Sequence, residues 1–229
     1  MIERSFNKKR LDRYSTLTIF FCIIAVSNQT SSMGRKSLKE ARQQEIIVAF
    51  YKLAKKEGLE NTSIAKIAKA MDVNPSLIIH YFQTKEELSY ALIDFILDRY
   101  APIFNVPNKA SKNAKAILLE VIDNLFSKKW DTLFDDGLFY SCYALCFRDA
   151  KVKSRYKSLL EGLRSNLAAL IEAGNADGSL LIKNPNECAD LIFIILDGAY
   201  FYLSLIKEPA VTREKLAFYK EKALKVLEI

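Results

Sequence analysis

Residues 58–88 read GLENTSIAKIAKAMDVNPSLIIHYFQTKEEL, and the spacing within this stretch decides the fold. Thr62 or Ser63 caps a short helix that carries Ile64, Ile67, Ala68 and Met71 at helical spacing. Asp72-Val73 make a tight turn, Asn74 caps the next helix, and Pro75 takes its first position, where a missing N–H costs nothing. That helix carries SLIIHYF and ends near Gln83, after which Thr84 caps another with Glu86 and Glu87 in its first turn. Two short helices joined by a three-residue turn fit a helix-turn-helix. With Ile78 and Phe82 pointing inward, about 100° per residue turns Ser76, Leu77, Ile79 and His80 outward. Aliphatic side chains there suit thymine methyl groups in a major groove, while Ser76 and His80 suit base edges or phosphates.

Working outward, Ile46, Ile47, Phe50, Leu53 and Ala54 mark one face of a helix running from Ser37 to Glu57, with Gly58 as its stop. The whole chain has 229 residues, 50% hydrophobic and 27% charged, with only 7 Gly and 5 Pro. So few turn formers argue against a β-sandwich and against glycine-rich phosphate loops, and predict an all-α chain. The net charge of +7 divides into +3 over residues 1–32, +5 over 33–85 and −1 over 86–229. An excess of positive charge confined to the front predicts an N-terminal module that meets an anion, with nucleic acid the leading candidate. No Walker-type loop, Rossmann glycine pattern, HExxH or GxSxG occurs, and the only histidine, His80, sits on the outward face of the proposed reading helix, so catalysis is not expected. Cysteines at 22, 142, 146 and 188 are sparse and unevenly spaced, which predicts buried reduced thiols, no metal site and no cofactor.

The segment 58–88 resembles the DNA-binding signature of the TetR family of transcriptional regulators. The resemblance rests on Ser63-Ile64, Ile67-Ala68, Val73, the helix body ending at Tyr81-Phe82, and Thr84-Lys85-Glu86-Glu87-Leu88. It implies an all-α homodimer with an N-terminal three-helix helix-turn-helix domain and a helical ligand-binding and dimerisation domain. Members are mostly repressors released from operators by a small molecule. By position, the resemblance puts Ser63 and Tyr81 on phosphates and Lys85 on the backbone at the start of the fourth helix. Asn74, Pro75, Ser76, Leu77, Ile79 and His80 lie in or beside the groove, and Lys66 serves at most as a phosphate contact. The chain departs from the family pattern in having Ala65 where Arg is common, Ile79 where Tyr is common, and Asp72 where Gly is usual, the last tolerable because Asp accepts left-handed geometry.

Residues 1–32 place basic residues before the apolar run Leu17 to Val26, the outline of a signal peptide. Met33 followed by GRKSLKEARQQEI reads as a start for the folded chain, so the first 36 residues are expected to be a disordered or mis-assigned extension. The expected domains are 37–84 for DNA binding and 85–229 for effector binding and dimerisation, in a cytoplasmic protein without membrane contact. Leu191 to Ile206 is apolar on nearly all sides, which suits a helix buried against both its own core and a partner subunit. Leu191, Ile195, Gly198, Ala199 and Tyr202, with Tyr219 and Val226 of the last helix, are the expected dimer contacts. Trp130, Phe139, Tyr143, Phe147, Asp197 and Phe201 are the expected lining of an apolar cavity for an unknown small-molecule effector. The competing function is a helical interaction or membrane-surface module without sequence-specific DNA binding, and Leu17 to Val26 lacks the charged opposite face that a peripheral anchor needs.

Overall fold

The computed structural model describes residues 35–127 and 135–228, and every regular element among them is helical. Residues 1–34 of the proposed extension and Trp130 lie outside the described residues, while its last two, Arg35 and Lys36, open the first helix. Residues 1–41 and 42–229 cluster as separate compact units, the first described only over the opening turns of its helix. The helices are α1 (Arg35–Glu57), α2 (Ile64–Ala70), α3 (Pro75–Tyr81), α4 (Lys85–Leu97), α5 (Ala114–Leu125), α6 (Asp136–Ala144), α7 (Ala150–Ala176), α8 (Pro185–Leu203) and α9 (Pro209–Val226). A 3-10 run, Asp98–Phe104, continues α4 towards α5.

The caps expected from sequence close the helix ends around the turn. Ser63 Oγ accepts the Lys66 N–H at 3.3 Å, Asn74 Oδ1 accepts that of Ser76 at 2.9 Å, and Thr84 Oγ1 accepts that of Glu87 at 3.1 Å. The Glu87 carboxylate in turn accepts the N–H of Gln83, one residue before the cap, at 2.8 Å, so two donors at the start of α4 are satisfied. Asp72 takes φ 54°, the left-handed turn its residue type tolerates.

Two apolar clusters organise the chain from residue 42 onward. One joins Phe50, Ile67, Ile78 and Phe82 to Leu88, Leu92 and Ile96 of α4, then to Leu138 and Cys142 of α6 and Val152 and Tyr156 of α7. The other joins α5, the later turns of α7, α8 and α9 through Leu118, Ile122, Leu167, Ile171, Phe193 and Leu216. At 27 residues α7 is long enough to serve both, contributing Tyr156 to one and Leu163 to the other. Cys142 and Cys146 are buried free thiols, Cys188 is a partly buried one, and burial pushes the Cys142 thiol up to about 12.

At the end of α7 the chain closes back on itself: the Leu180 N–H donates to the Gly174 carbonyl at 3.0 Å. A Cβ at Gly174 would fall 2.7 Å from Leu180 Cγ and 3.2 Å from Leu180 Cβ, and Leu180 is itself buried. Gly174→Val is therefore expected to destabilise the protein by about 1–3 kcal/mol through overpacking. A thermal melt checks this, and an unchanged midpoint contradicts it.

Candidate DNA-reading helix, cavity and subunit face

Ile78 is wholly buried while its neighbour Ile79 is 49% exposed, which fixes the orientation of α3. Asn74, Pro75, Ser76 and His80 are exposed with Ile79, and Leu77 is half-buried. Tyr81 is half-buried, its ring 5.0 Å from that of His80, and its carbonyl accepts from Gln43 Nε2 at 3.2 Å, which ties the end of α3 to α1. Lys85 is exposed at the first position of α4. Ser63 is exposed too, with its oxygen engaged as a cap and its O–H available to donate. Lys66 is held differently: its ammonium lies 2.8 Å from both the Glu57 carboxylate and the Asn61 carbonyl, bracing α1 against α2.

A cavity of about 320 Å³ lies among α6, α7 and α8. Three helical stripes build it, and each repeats every three or four residues. Asp136, Phe139, Tyr140 and Tyr143 come from α6; Tyr156, Leu159, Leu160 and Leu163 from α7; Phe193, Leu196, Asp197, Tyr200 and Phe201 from α8. Tyr100, Ile103 and Leu125 complete the lining. Of the residues expected there, Phe139, Tyr143, Asp197 and Phe201 are present, whereas Phe147 is 78% exposed outside the lining. Phe147 lies past the end of α6 in a 3-10 turn, Leu145–Phe147, whose tighter winding turns it out of line with Tyr143. Among the lining tyrosines not expected there, Tyr156 falls at helical spacing with Leu159, Leu160 and Leu163 on α7, and Tyr100 comes from the 3-10 run that follows α4.

The polar groups of the cavity are few. Arg164 lies 3.3 Å from Asp197 Oδ2 and 2.9 Å from Asp190 Oδ1. The surrounding protein raises the Asp197 carboxyl above the ordinary carboxylate range, with Arg164 pulling the other way. Burial, and next the Asp197 charge, hold the Tyr100 phenol far above its usual range, and burial does the same to Tyr156. Tyr200 O–H donates to the carbonyls of Leu125 and Ser127 at 2.9 and 3.1 Å, closing the end of α5.

Cavity and reading helix share structural members. Phe139, Tyr140 and Tyr143 face the cavity from α6, while Leu138 and Cys142 on its other side enter the cluster that seats α3 and α4. Helix α4 is bound to the start of α7 by Tyr90 O–H donating to Asp149 Oδ2 at 2.7 Å and by Arg155 Nε donating to Asp94 Oδ1 at 2.6 Å. Asp149 also caps α7, and its bond from Tyr90, followed by that from Val152 N–H, holds its carboxyl below the usual range.

On α8, Leu191, Ile194, Gly198, Phe201 and Tyr202 form an exposed stripe, with Leu205 exposed just past its end and Val211 and Phe218 exposed on α9. Ile195, Ala199, Tyr219 and Val226, also expected at a subunit contact, lie off this exposed stripe. Ala199 is buried, and the other three pack against the protomer's own core. A helix apolar on nearly every side carries no periodicity to say which face its neighbours take, and α7 and α9 take this one.

Two family models match the chain. Bacterial regulatory proteins, tetR family, matches residues 46–92, and the tetracyclin repressor-like C-terminal domain matches residues 113–229. Nucleoid occlusion factor SlmA of Actinobacillus pleuropneumoniae is 25% identical over 201 residues, which cover 85% of this chain and 95% of that protein. Among solved structures, a TetR transcription regulator from Haloarcula marismortui aligns with TM-score 0.69 at 19% identity, covering 82% of this chain and 97% of its own. A TetR family regulator from Cytophaga hutchinsonii aligns with TM-score 0.69 at 16% identity, covering 85% and 98%. No helix among the described residues is long and apolar enough to cross a membrane. With the second match alone spanning half the chain and the first lying on the helix-turn-helix, this protein belongs to the TetR family of DNA-binding transcriptional regulators and is not an enzyme.

Proposed function

We propose that the chain acts in the cytoplasm as a homodimeric repressor that reads a palindromic operator with α3 and lets go when a small molecule fills the cavity. The observation that carries this reading is the exposure of Ile79 beside the wholly buried Ile78. A structural helix has no need of an outward isoleucine, and a major groove lined with thymine methyls does. Ser76 and His80 flank it as hydrogen-bonding groups, with Asn74, Pro75 and Leu77 along the groove edge. Ser63 O–H, Tyr81 and Lys85 take phosphates, while Lys66, already paired with Glu57, offers at most one further N–H.

Release follows from α6 having one face in the cavity and the other in the cluster that seats α3 and α4. A ligand that displaces α6 shifts α4 and the separation of the two reading helices, which must match grooves roughly 34–36 Å apart or a multiple of that. The operator-bound state is then depopulated in proportion to the ligand's preference for the other.

A footprint on the chain's own upstream DNA, repeated with a metabolite panel, tests the whole reading. Protection of a palindrome that one metabolite abolishes supports it, and protection unaffected by any ligand opposes release. Lys85→Ala is expected to weaken binding on all sequences alike and to flatten the salt dependence, by a slope of about 2 per dimer for two lost phosphate contacts. An unchanged slope takes Lys85 off the backbone.

The likeness to SlmA along nearly its full length supports a second reading, nucleoid occlusion through the same DNA-binding end. A chromosome-wide binding map separates the two. Sites confined to a few promoters support the repressor, and dispersed sites indifferent to ligand support occlusion.

A further inference from the structure

The cavity's chemistry names a ligand class, on the reading that it is the effector site. We propose that it takes a hydrophobic organic cation, an amine or quaternary ammonium on an aryl or alkyl body. Three observations converge on this.

The first is charge. The described lining holds the carboxylates of Asp136 and Asp197 and no lysine, arginine or histidine. Arg164 does reach Asp197 at 3.3 Å, but its Nε is committed to Asp190 at 2.9 Å. One guanidinium serves two carboxylates, and that group of three keeps a net negative charge.

The second is the wall itself. Tyr100, Phe139, Tyr140, Tyr143 and Phe201 surround the space, with Tyr140 and Phe201 edge to face at 5.8 Å. The phenols of Tyr100 and Tyr140 are raised above their usual range by burial, so these rings bring no phenolate charge to the lining. Ring quadrupoles attract a cation and repel an anion. A volume of about 320 Å³ lies at the small end of ligand pockets and limits the body to one ring or a short chain.

The third is an orphaned polar atom. Tyr156 is 3% exposed, lines the cavity, and its hydroxyl has no hydrogen-bond partner among the described residues. A buried hydroxyl is seldom left so. It can supply a donor for a ligand oxygen in addition to the carboxylates, which suits an amphipathic molecule with a charged end and a weakly polar one.

Calorimetric titration of the full chain with three probes sharing one body tests the proposal: 4-phenylbutyltrimethylammonium, 4-phenyl-1-butanol and 4-phenylbutane-1-sulfonate. The ammonium is expected to bind roughly tenfold or more tightly than the alcohol, and the sulfonate more weakly than either. Asp197→Asn, isosteric at a solvent-reached position, is expected to close the gap between ammonium and alcohol. Equal or tighter binding of alcohol or sulfonate, a gap unchanged in Asp197→Asn, or no binding of any probe overturns the cation assignment. The same probes are added to the complex with upstream DNA. Ammonium that binds without releasing DNA leaves the cation assignment standing and overturns the effector reading. Release by the sulfonate or alcohol alone does the reverse.

Discussion

Ile78→Ala is expected to destabilise the protein by about 2–5 kcal/mol, whereas Ile79→Ala, one residue further on, changes stability by no more than about 0.5 kcal/mol. Ile78 is wholly buried in the cluster that holds α3 against α1, α2 and α4, so truncation removes contacts on every side and leaves a cavity. Ile79 is half in solvent and loses little in the unbound protein. On DNA the order reverses for the folded molecules. Ile79→Ala gives up a methyl-rich contact worth roughly 1 kcal/mol per protomer, about thirtyfold in affinity for a dimer that uses both reading helices. Denaturant unfolding together with titration of the operator measures both effects. Equal stability losses at the two positions, or undiminished operator affinity in Ile79→Ala, contradicts the orientation or the role assigned to α3.

Ile194→Asp combined with Phe218→Asp is expected to leave the protomer folded and to abolish the dimer. Both side chains are exposed in the protomer, so carboxylates there are solvated and cost its fold little. In an interface made by α8 and α9 of two subunits, four carboxylates would be taken out of water without partners, at several kcal/mol each. Operator affinity is then expected to fall by roughly 10²–10⁴, because the second reading helix no longer binds as a tethered partner. Light scattering of the purified variant and titration of whole and half operators check this. A dimer that persists in the variant moves the subunit contact off these faces.

The helix-turn-helix was legible because its determinants are local. A cap oxygen reaches two or three residues ahead, Pro75 fits one helical position, and Asp72 accepts one unusual φ, all decided within a few residues of chain. The outward face of α3 followed from the angular period once Ile78 and Phe82 were taken as core, and both are buried. What stayed illegible depends on partners distant in sequence. The pull of Glu57 on Lys66, the bond from Tyr90 to Asp149 and the sharing of Arg164 between Asp190 and Asp197 join residues 9, 59, 26 and 33 positions apart.

The sequence by itself determined that this chain is helical, where its DNA-binding end lies, and which side of α3 meets solvent, because caps, turns and a period of 3.6 residues act over short range. Tertiary structure alone decided which stripe of α8 is core and which is exposed, and that α6, α7 and α8 enclose a cavity lined by Asp197 and by Tyr156, whose hydroxyl has no partner among the described residues. A helix apolar all round has several equivalent ways to bury itself, and only the packing of its neighbours selects one.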